Sequence, residues 1–183
     1  MNAAALTIRK TMREDLPLFF SYLNDHLLDN GSGATAMFMP MPRSESRFTP
    51  DKQAAFRTGM ETPVGQPGWR RGWLALTADG RIAGHIDLRA RPEKTCAHRA
   101  LLGMGVHRDF RRQGLGAALV AVATEWAVIQ KFDWIDLEVL SVNAAARQLY
   151  ARAGFTQIGE IDDMFRIDGE SLGYTFMAKN IRQ

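Results

Sequence analysis

The chain is short of cysteine, of long apolar runs and of a dominant charge sign, and each shortage narrows what it can be. A single cysteine, Cys96, excludes an intrachain disulfide framework. Cys96 lies in a polar stretch with His98 nearby and no further catalytic-cysteine signature, so it reads as an incidental thiol. No run approaches the roughly 18 apolar residues of a membrane span, and Met1 to Leu6 lacks a basic segment followed by an apolar core. A soluble, cytoplasmic protein without membrane attachment is expected. The 23 basic and 20 acidic residues are interspersed and leave a net charge of only +3, so the pI near 9.3 does not by itself indicate a nucleic-acid partner. No histidine and cysteine cluster has zinc-ligand spacing, and no metal is expected.

What is present suits one domain over residues 1–183, long enough to bury roughly 70% of the surface its unfolded chain would expose. Leu6 to Arg9 reads as a strand. Thr11-x-x-Glu14 has capping-box spacing, and Leu16, Phe19, Phe20, Leu23 and Leu27 then recur at helical spacing up to Asn30-Gly31. Residues 31–69 hold five of the seven prolines and read as irregular except for a helix over Asp51 to Met60; the segment is either a substrate-side lid or an insertion.

Asp79-Gly80 between Trp73–Thr77 and Arg81–Arg89 predicts a hairpin, and Ala100 to Val106 another strand. Leu115, Leu119, Val122, Trp126 and Ile129 mark one face of a helix that begins near Gly114. Trp134 to Leu140 alternates, with Ile135, Leu137 and Val139 on one face and Asp136 and Glu138 on the other. A helix carrying Ala146, Leu149 and Tyr150 inward and ending at Gly154 follows, then strands over Phe155–Ile161 and Tyr174–Ala178. The order implies a mixed α/β sheet, mostly antiparallel, flanked by helices.

The chemistry-bearing stretch is Arg111-Arg112-Gln113-Gly114-Leu115-Gly116, between a strand and a helix. A glycine turn at a helix N-terminus aims several backbone N–H groups at one point, and the helix dipole adds partial positive charge there, which suits a diphosphate. Two other phosphate signatures fail. There is no Gly-Lys pair for a P-loop, and Leu119 stands where the dinucleotide fingerprint needs glycine.

Leu102 to Ala117 resembles motif A of the GNAT superfamily of N-acetyltransferases, with Arg111-x-x-Gly114-x-Gly116 as its core. Leu137 to Phe155 resembles motif B, with Asn143, Tyr150 and Gly154-Phe155 at the family's separations. The resemblance is specific over about residues 100 to 160 and leaves residues 31–69 unexplained. It implies a GNAT-like fold and transfer of an acetyl group from acetyl-CoA to an amine of a small molecule, peptide or protein, in a ternary complex without a metal; a homodimer would be in keeping with the superfamily.

By resemblance, the backbone of Met104, Gly105 and Val106 would bind the pantetheine arm, where the fourth strand splays from the fifth. The turn through Arg111, Arg112, Gln113, Gly114, Leu115, Gly116 and Ala117 would hold the diphosphate, chiefly through main-chain N–H groups. Asn143 is either a helix cap, a coenzyme contact or both. Tyr150 would protonate the departing thiolate, or else pack in the core with its hydroxyl satisfied locally. Glu138 would serve as base toward the amine, or else be a structural carboxylate, with His85, Asp87 and His107 weaker choices. Trp69, Arg70 and Arg71 would read an acidic or aromatic acceptor, or simply cover the surface. A non-catalytic acyl-CoA-binding module is the alternative function.

Overall fold

The computed structural model describes residues 6–182; Met1 to Ala5, read above as lacking a targeting pattern, and Gln183 lie outside the described residues. The elements are β1 (Thr7–Lys10), α1 (Leu16–Leu27), α2 (Pro50–Glu61), β2 (Arg70–Leu76), β3 (Ile82–Ala90), β4 (Arg99–Val106), α3 (Leu115–Ile129), β5 (Trp134–Leu140), α4 (Ala144–Arg152), β6 (Thr156–Ile167) and β7 (Glu170–Asn180). They build one seven-stranded sheet in the order β1-β2-β3-β4-β5-β7-β6. The β4/β5 pair is parallel and every other pairing antiparallel. This is the mixed, mostly antiparallel sheet expected from the pattern.

Helix α1 forms as predicted and buries Leu16, Phe19, Phe20 and Leu23 against Phe56 of α2, Leu74 and Ile82, with Leu27 also buried. Its start differs. The carboxylate that turns back belongs to Asp15, which accepts from the Met12 N–H at 2.7 Å, while Thr11 Oγ1 is buried without a partner. A 3-10 turn over Arg13–Asp15 shifts the cap by one residue, and Arg9 holds Asp15 with two bonds of 2.6 and 2.7 Å. That guanidinium keeps the Asp15 carboxyl below its ordinary range.

Helix α3 also rotates relative to expectation. Its buried stripe is Leu115, Leu119, Val120, Ala123 and Ala127, and Ile129 is exposed. Small alanines let the helix lie close on β2, β3 and β4, whereas the larger side chains at 122 and 126 flank the contact. Trp69, Trp73, Trp126 and Phe132 fill the end of this layer with ring centroids 5.3 to 6.2 Å apart. The closing strands are longer than predicted, because β6 passes through Asp162 and Asp163 to Ile167, accommodating them in an irregularity between Ile161 and Phe165 where Asp163 has φ +49°. Asp168-Gly169, at φ +50° and +84°, turns the hairpin.

The segment 31–69 is docked at both ends. Asn30, almost fully buried, accepts from the N–H groups of Phe38 and Met39 at 2.8 and 2.9 Å and donates to Met39 O and Ser46 Oγ. Met37 packs with Leu140, Ile167 and Leu172, and Arg43 pairs with Asp168 and Glu170 of the closing hairpin. One polar hub thus replaces the regular ladder that this composition cannot form.

Candidate active site

Strands β4 and β5 pair over three residues only, Arg99 with Trp134, Ala100 with Ile135 and Leu101 with Asp136, and then part. β4 goes on with β3 as far as Val106, and β5 with β7 as far as Leu140. Because hydrogen-bonded pairs alternate along an antiparallel ladder, and the His107 N–H donates to Ala83 O, the peptide groups of Gly105 face β3. Those of Met104 and Val106 face the opening. Of the three residues expected there, two turn toward the cleft, and the Val106 carbonyl is already taken by Arg111 Nε at 3.1 Å.

The opening leads to the turn before α3. Arg112 has φ +60° and Gly114, the N-cap, φ +80°, so the chain reverses through two left-handed residues. The N–H groups of Leu115, Gly116 and Ala117 form the first helical turn and find no acceptor in the protein among the described residues; the first bond of the helix is Ala118 N–H to Gly114 O. The two glycines serve different ends. Gly114 supplies the backbone angle, and a Cβ there would meet nothing, whereas a Cβ on Gly116 would sit 2.9 Å from Leu149 Cδ2. Gly116 therefore lets α3 touch α4, and its part in ligand approach is indirect.

The arginines also divide. Arg112 is exposed, with no ion pair in the described residues. Arg111 points back into the protein, donating to Asp29 Oδ2 at 2.8 Å and to the Val106 carbonyl. Arg108 bonds both Asp29 and Asp25, and His107 Nε2 lies 3.0 Å from Asp25 Oδ2. Gln113 is likewise spent, its amide donating to Asp109 O. These ion pairs clamp Arg111 to the end of α1 and fix the backbone of the turn. Asp25 and Asp29 carried no motif, and only their spacing of four residues just before Asn30-Gly31, which puts both on one face at the end of the first helix, could have suggested them.

Helix α4 begins at Asn143, touches α3 through Leu149 at Gly116, and carries Tyr150 into the core cluster against which Met104 packs. Asn143 Oδ1 accepts from Ala146 N–H at 3.2 Å, so the cap is real, and its amide nitrogen stays unengaged by the described residues. Tyr150 is buried, its ring edge-on to Phe155 at 5.8 Å, and its hydroxyl has no hydrogen-bond partner among the described residues. The expectation of a locally satisfied hydroxyl is thus not met. Burial pushes this phenol well above its ordinary pKa, so it stays protonated at neutral pH.

Glu138 stands on the opposite sheet face, exposed, in register with Phe176 and bonded by the Tyr174 hydroxyl at 3.3 Å. Burial and then the Glu138 charge push Tyr174 up to about 12. Asp136, two residues earlier, is buried and spent on Arg99 and Arg91, at 2.5 and 3.1 Å. His85, Tyr22 and His26 form an aromatic wall over Gly105: His85 Nδ1 lies 3.2 Å from the Tyr22 hydroxyl, which donates to Gly105 O at 3.3 Å. Phe38 from the segment 31–69 covers His26 at 4.8 Å between ring centroids. Burial lowers His85 to about 4 and His26 to about 3, so both imidazoles are neutral at pH 7 and weakly basic. Tyr22, His26 and Tyr174 carried no motif: the helix reading named only Leu16, Phe19, Phe20, Leu23 and Leu27, and Tyr174 stood only as the first residue of the closing strand.

Two more expectations change. Trp69 is core, 2% exposed, and Arg71 donates to the Gly59, Met60 and Thr62 carbonyls at the end of α2. Neither is presented to an acceptor. No three His, Cys, Asp or Glu side chains among the described residues are grouped to hold a metal ion, and no described helix is long and apolar enough to cross a membrane.

A sheet parted at its one parallel pair, with unpaired helix-start donors at the mouth, defines the architecture of the GNAT acyltransferases. The model of the Acetyltransferase (GNAT) family matches residues 41–155, and the chain belongs to that family. Curated relatives include human N-acetylaspartate synthetase, 33% identical over 90 residues, which are 49% of this chain and 29% of that protein. Another is the mycothiol acetyltransferase of Clavibacter michiganensis, 37% identical over 82 residues, 45% of this chain and 26% of that one. The chain thus spans under a third of the length of either. Among solved structures, a GNAT acetyltransferase from Streptococcus pneumoniae superposes with a TM-score of 0.80 at 24% identity, covering 96% of this chain and 99% of that one. A phosphinothricin acetyltransferase from Sinorhizobium meliloti in complex with AcCoA gives 0.77 at 17% identity, covering 97% and 89%.

Proposed function

We propose that this acetyltransferase takes its acetyl group from acetyl-CoA and delivers it directly to a primary amine in a ternary complex. The observation that carries the reading is the parting of β4 and β5 after Leu101, which leaves the peptide groups of Met104 and the Val106 N–H without a strand partner, beside the unpaired N–H groups of Leu115, Gly116 and Ala117 at the start of the next helix. That line of donors fits a ligand with amides along its arm and a diphosphate at its end. A thioester supplies the activated acyl carbon; everything else falls to the chain's own side chains.

Glu138 accepts the proton that the amine loses, because only a neutral amine is nucleophilic, and the Tyr174 hydroxyl orients the carboxylate. Tyr150, protonated and with an unpartnered hydroxyl on the donor side, donates to the departing sulfur. His85 and Tyr22 brace the Gly105 carbonyl and keep β4 straight at the point where the strands diverge. Roles for a base and an acid on opposite sides of the opening support catalysis over the reading as an acyl-CoA-binding module.

Release of free thiol from acetyl-CoA with a panel of amine acceptors tests the proposal. Acceptor-dependent release is the expected result. Saturable acetyl-CoA binding with no release across the panel would leave the binding module as the better account.

A further inference from the structure

The registers align side chains in rows across the face that carries Glu138. Arg70 pairs with Arg89 and Arg89 with Leu101; Gly72 pairs with Asp87 and Asp87 with Gly103; beyond the opening, Glu138 pairs with Phe176 and Leu140 with Tyr174. The row through Gly103 has no side chain on β4, and Arg89 fills that space. A Cβ on Gly103 would lie 2.8 Å from Arg89 Nη1 and 3.0 Å from Asp87 Oδ2. Arg89 therefore folds over β4 toward the cleft.

Charge on this wall does not balance. Asp87, buried, accepts from Arg89 Nη1 at 3.2 Å and is paired with Arg70 Nε at 3.4 Å, so two guanidinium groups share one carboxylate. Arg91 and Arg99 give no relief, being matched by Asp136 and Glu93. Arg70 is stacked on the Phe56 ring, 4.7 Å from its centroid, and is held there. Arg89 is the open one: its side chain keeps 31% exposure and spends one of five donors on Asp87. Arg89, Leu101 and Asp136 stand in one row across β3, β4 and β5, and Glu138, two residues on from Asp136, stands with Tyr174 on the far side of the opening.

We infer that the acceptor is an amine that also carries a carboxylate, a free amino acid in its simplest form, with its carboxylate on Arg89 and its amine toward Glu138. The inference rests on the acetyl-transfer reading above. A guanidinium that has desolvated surroundings and free donors binds a carboxylate with charge-assisted, often bidentate bonds. A zwitterion matches both walls at once, whereas a plain amine leaves the Arg89 charge unmatched and a polyamine is repelled by it.

The test compares α-amino acids with their carboxamides and the corresponding decarboxylated amines, reading thiol release from acetyl-CoA by the full chain. For the acid that is turned over best, kcat/KM is expected to exceed that of its amide by ~10²-fold or more, since a site built to pair with a charged group discriminates strongly against its absence. Arg89→Gln should raise KM for the acid more than tenfold and leave KM for the amide and for acetyl-CoA within about twofold; Arg89→Lys should restore part of the preference. Equal turnover of acid and amide by the native protein, or an equal loss on both in Arg89→Gln, overturns the inference. Calorimetric titration of the same acids and amides onto the protein with coenzyme A separates it from the reading it rests on. Binding of acids alone, abolished in Arg89→Gln, keeps the carboxylate site even where no thiol is released, and absence of such binding removes it.

Discussion

The two walls of the cleft are made of different materials. On the donor side, Met104, Val106 and the first turn of α3 present main-chain groups, and the side chains there serve to hold backbone in place: Arg111 on Asp29, Gly116 against Leu149. On the proposed acceptor side the groups assigned a part are side chains, Arg89, Asp87, Glu138 and Tyr174, borne on three strands far apart in sequence. A backbone site needs a fixed order of glycines and one turn, so it leaves a contiguous motif. A side-chain site assembled by register leaves none. The difference explains why one half of a bisubstrate reaction is easy to read in a sequence and the other is not.

The sharpest way to break this comparison lies with Tyr150, the one donor-side residue assigned chemistry through its side chain. Tyr150→Phe keeps the ring packing against Phe155 and removes only the hydroxyl. A fall in kcat of ~10²–10⁴-fold is expected with acetyl-CoA affinity unchanged, the usual worth of a positioned acid. Full activity in the phenylalanine variant would return Tyr150 to the core. Glu138→Gln is next, with an expected loss of ~10²-fold in kcat/KM for the amine. Because glutamine still accepts from the Tyr174 hydroxyl, a variant with unchanged rates would leave Glu138 a purely structural partner of Tyr174.

How much could be read beforehand follows the same division. The succession of strands and helices, the hairpin at Asp79-Gly80 and the turn at Gly114 were legible, because each depends on local angles or periodicity. Asn143 was legible as a cap. The parting of β4 from β5 entered only through family resemblance, since strand divergence is a property of pairs and leaves no mark in either strand. The rotation of α3 was misread at Ile129: apolar residues surround this helix on nearly all sides, so periodicity could not decide which alanines meet the sheet. The segment 31–69 looked undecided because its anchors are long-range, the buried Asn30 amide just outside it, Met37 against Leu140 and Leu172, and Arg43 on Asp168 and Glu170, and such contacts leave no local pattern.

A third experiment separates the two glycines of the turn. Gly116→Ala should destabilise the fold by ~1–3 kcal/mol, as overpacking does, because Leu149 must yield to the new methyl group. Gly114→Ala meets no neighbour and should cost about 1–2 kcal/mol through its left-handed angle alone. Chemical denaturation of both variants, with acetyl-CoA titrations alongside, reads the split. The contrast to look for is in binding: the Gly114 variant should lose affinity out of proportion to stability, because it disturbs the direction of the N–H groups. Parallel losses in both variants would dissolve the distinction.

The last test concerns acid stability around the histidines of the proposed acceptor wall. His26 is buried with Nδ1 unpartnered, and burial, then the neighbouring His85 charge and that of Arg111, lowers it to about 3; His85 is lowered to about 4. In the unfolded chain both titrate near the ordinary 6.5. Below that pH the unfolded state takes up protons that the native state refuses, so stability falls as pH falls, by up to about 1.4 kcal/mol per pH unit for each histidine until its folded pKa is reached. Asp29 acts against this on His26 and Asp87 on His85. Denaturant midpoints between pH 7 and 5 should therefore decline in the native protein, and His26→Phe, which keeps a ring against Phe38 and Tyr22, should show about half the slope. An unchanged slope in that variant would mean that His26 takes up its proton in the folded state, which needs a wetter acceptor wall than the packing of Phe38 on His26 allows.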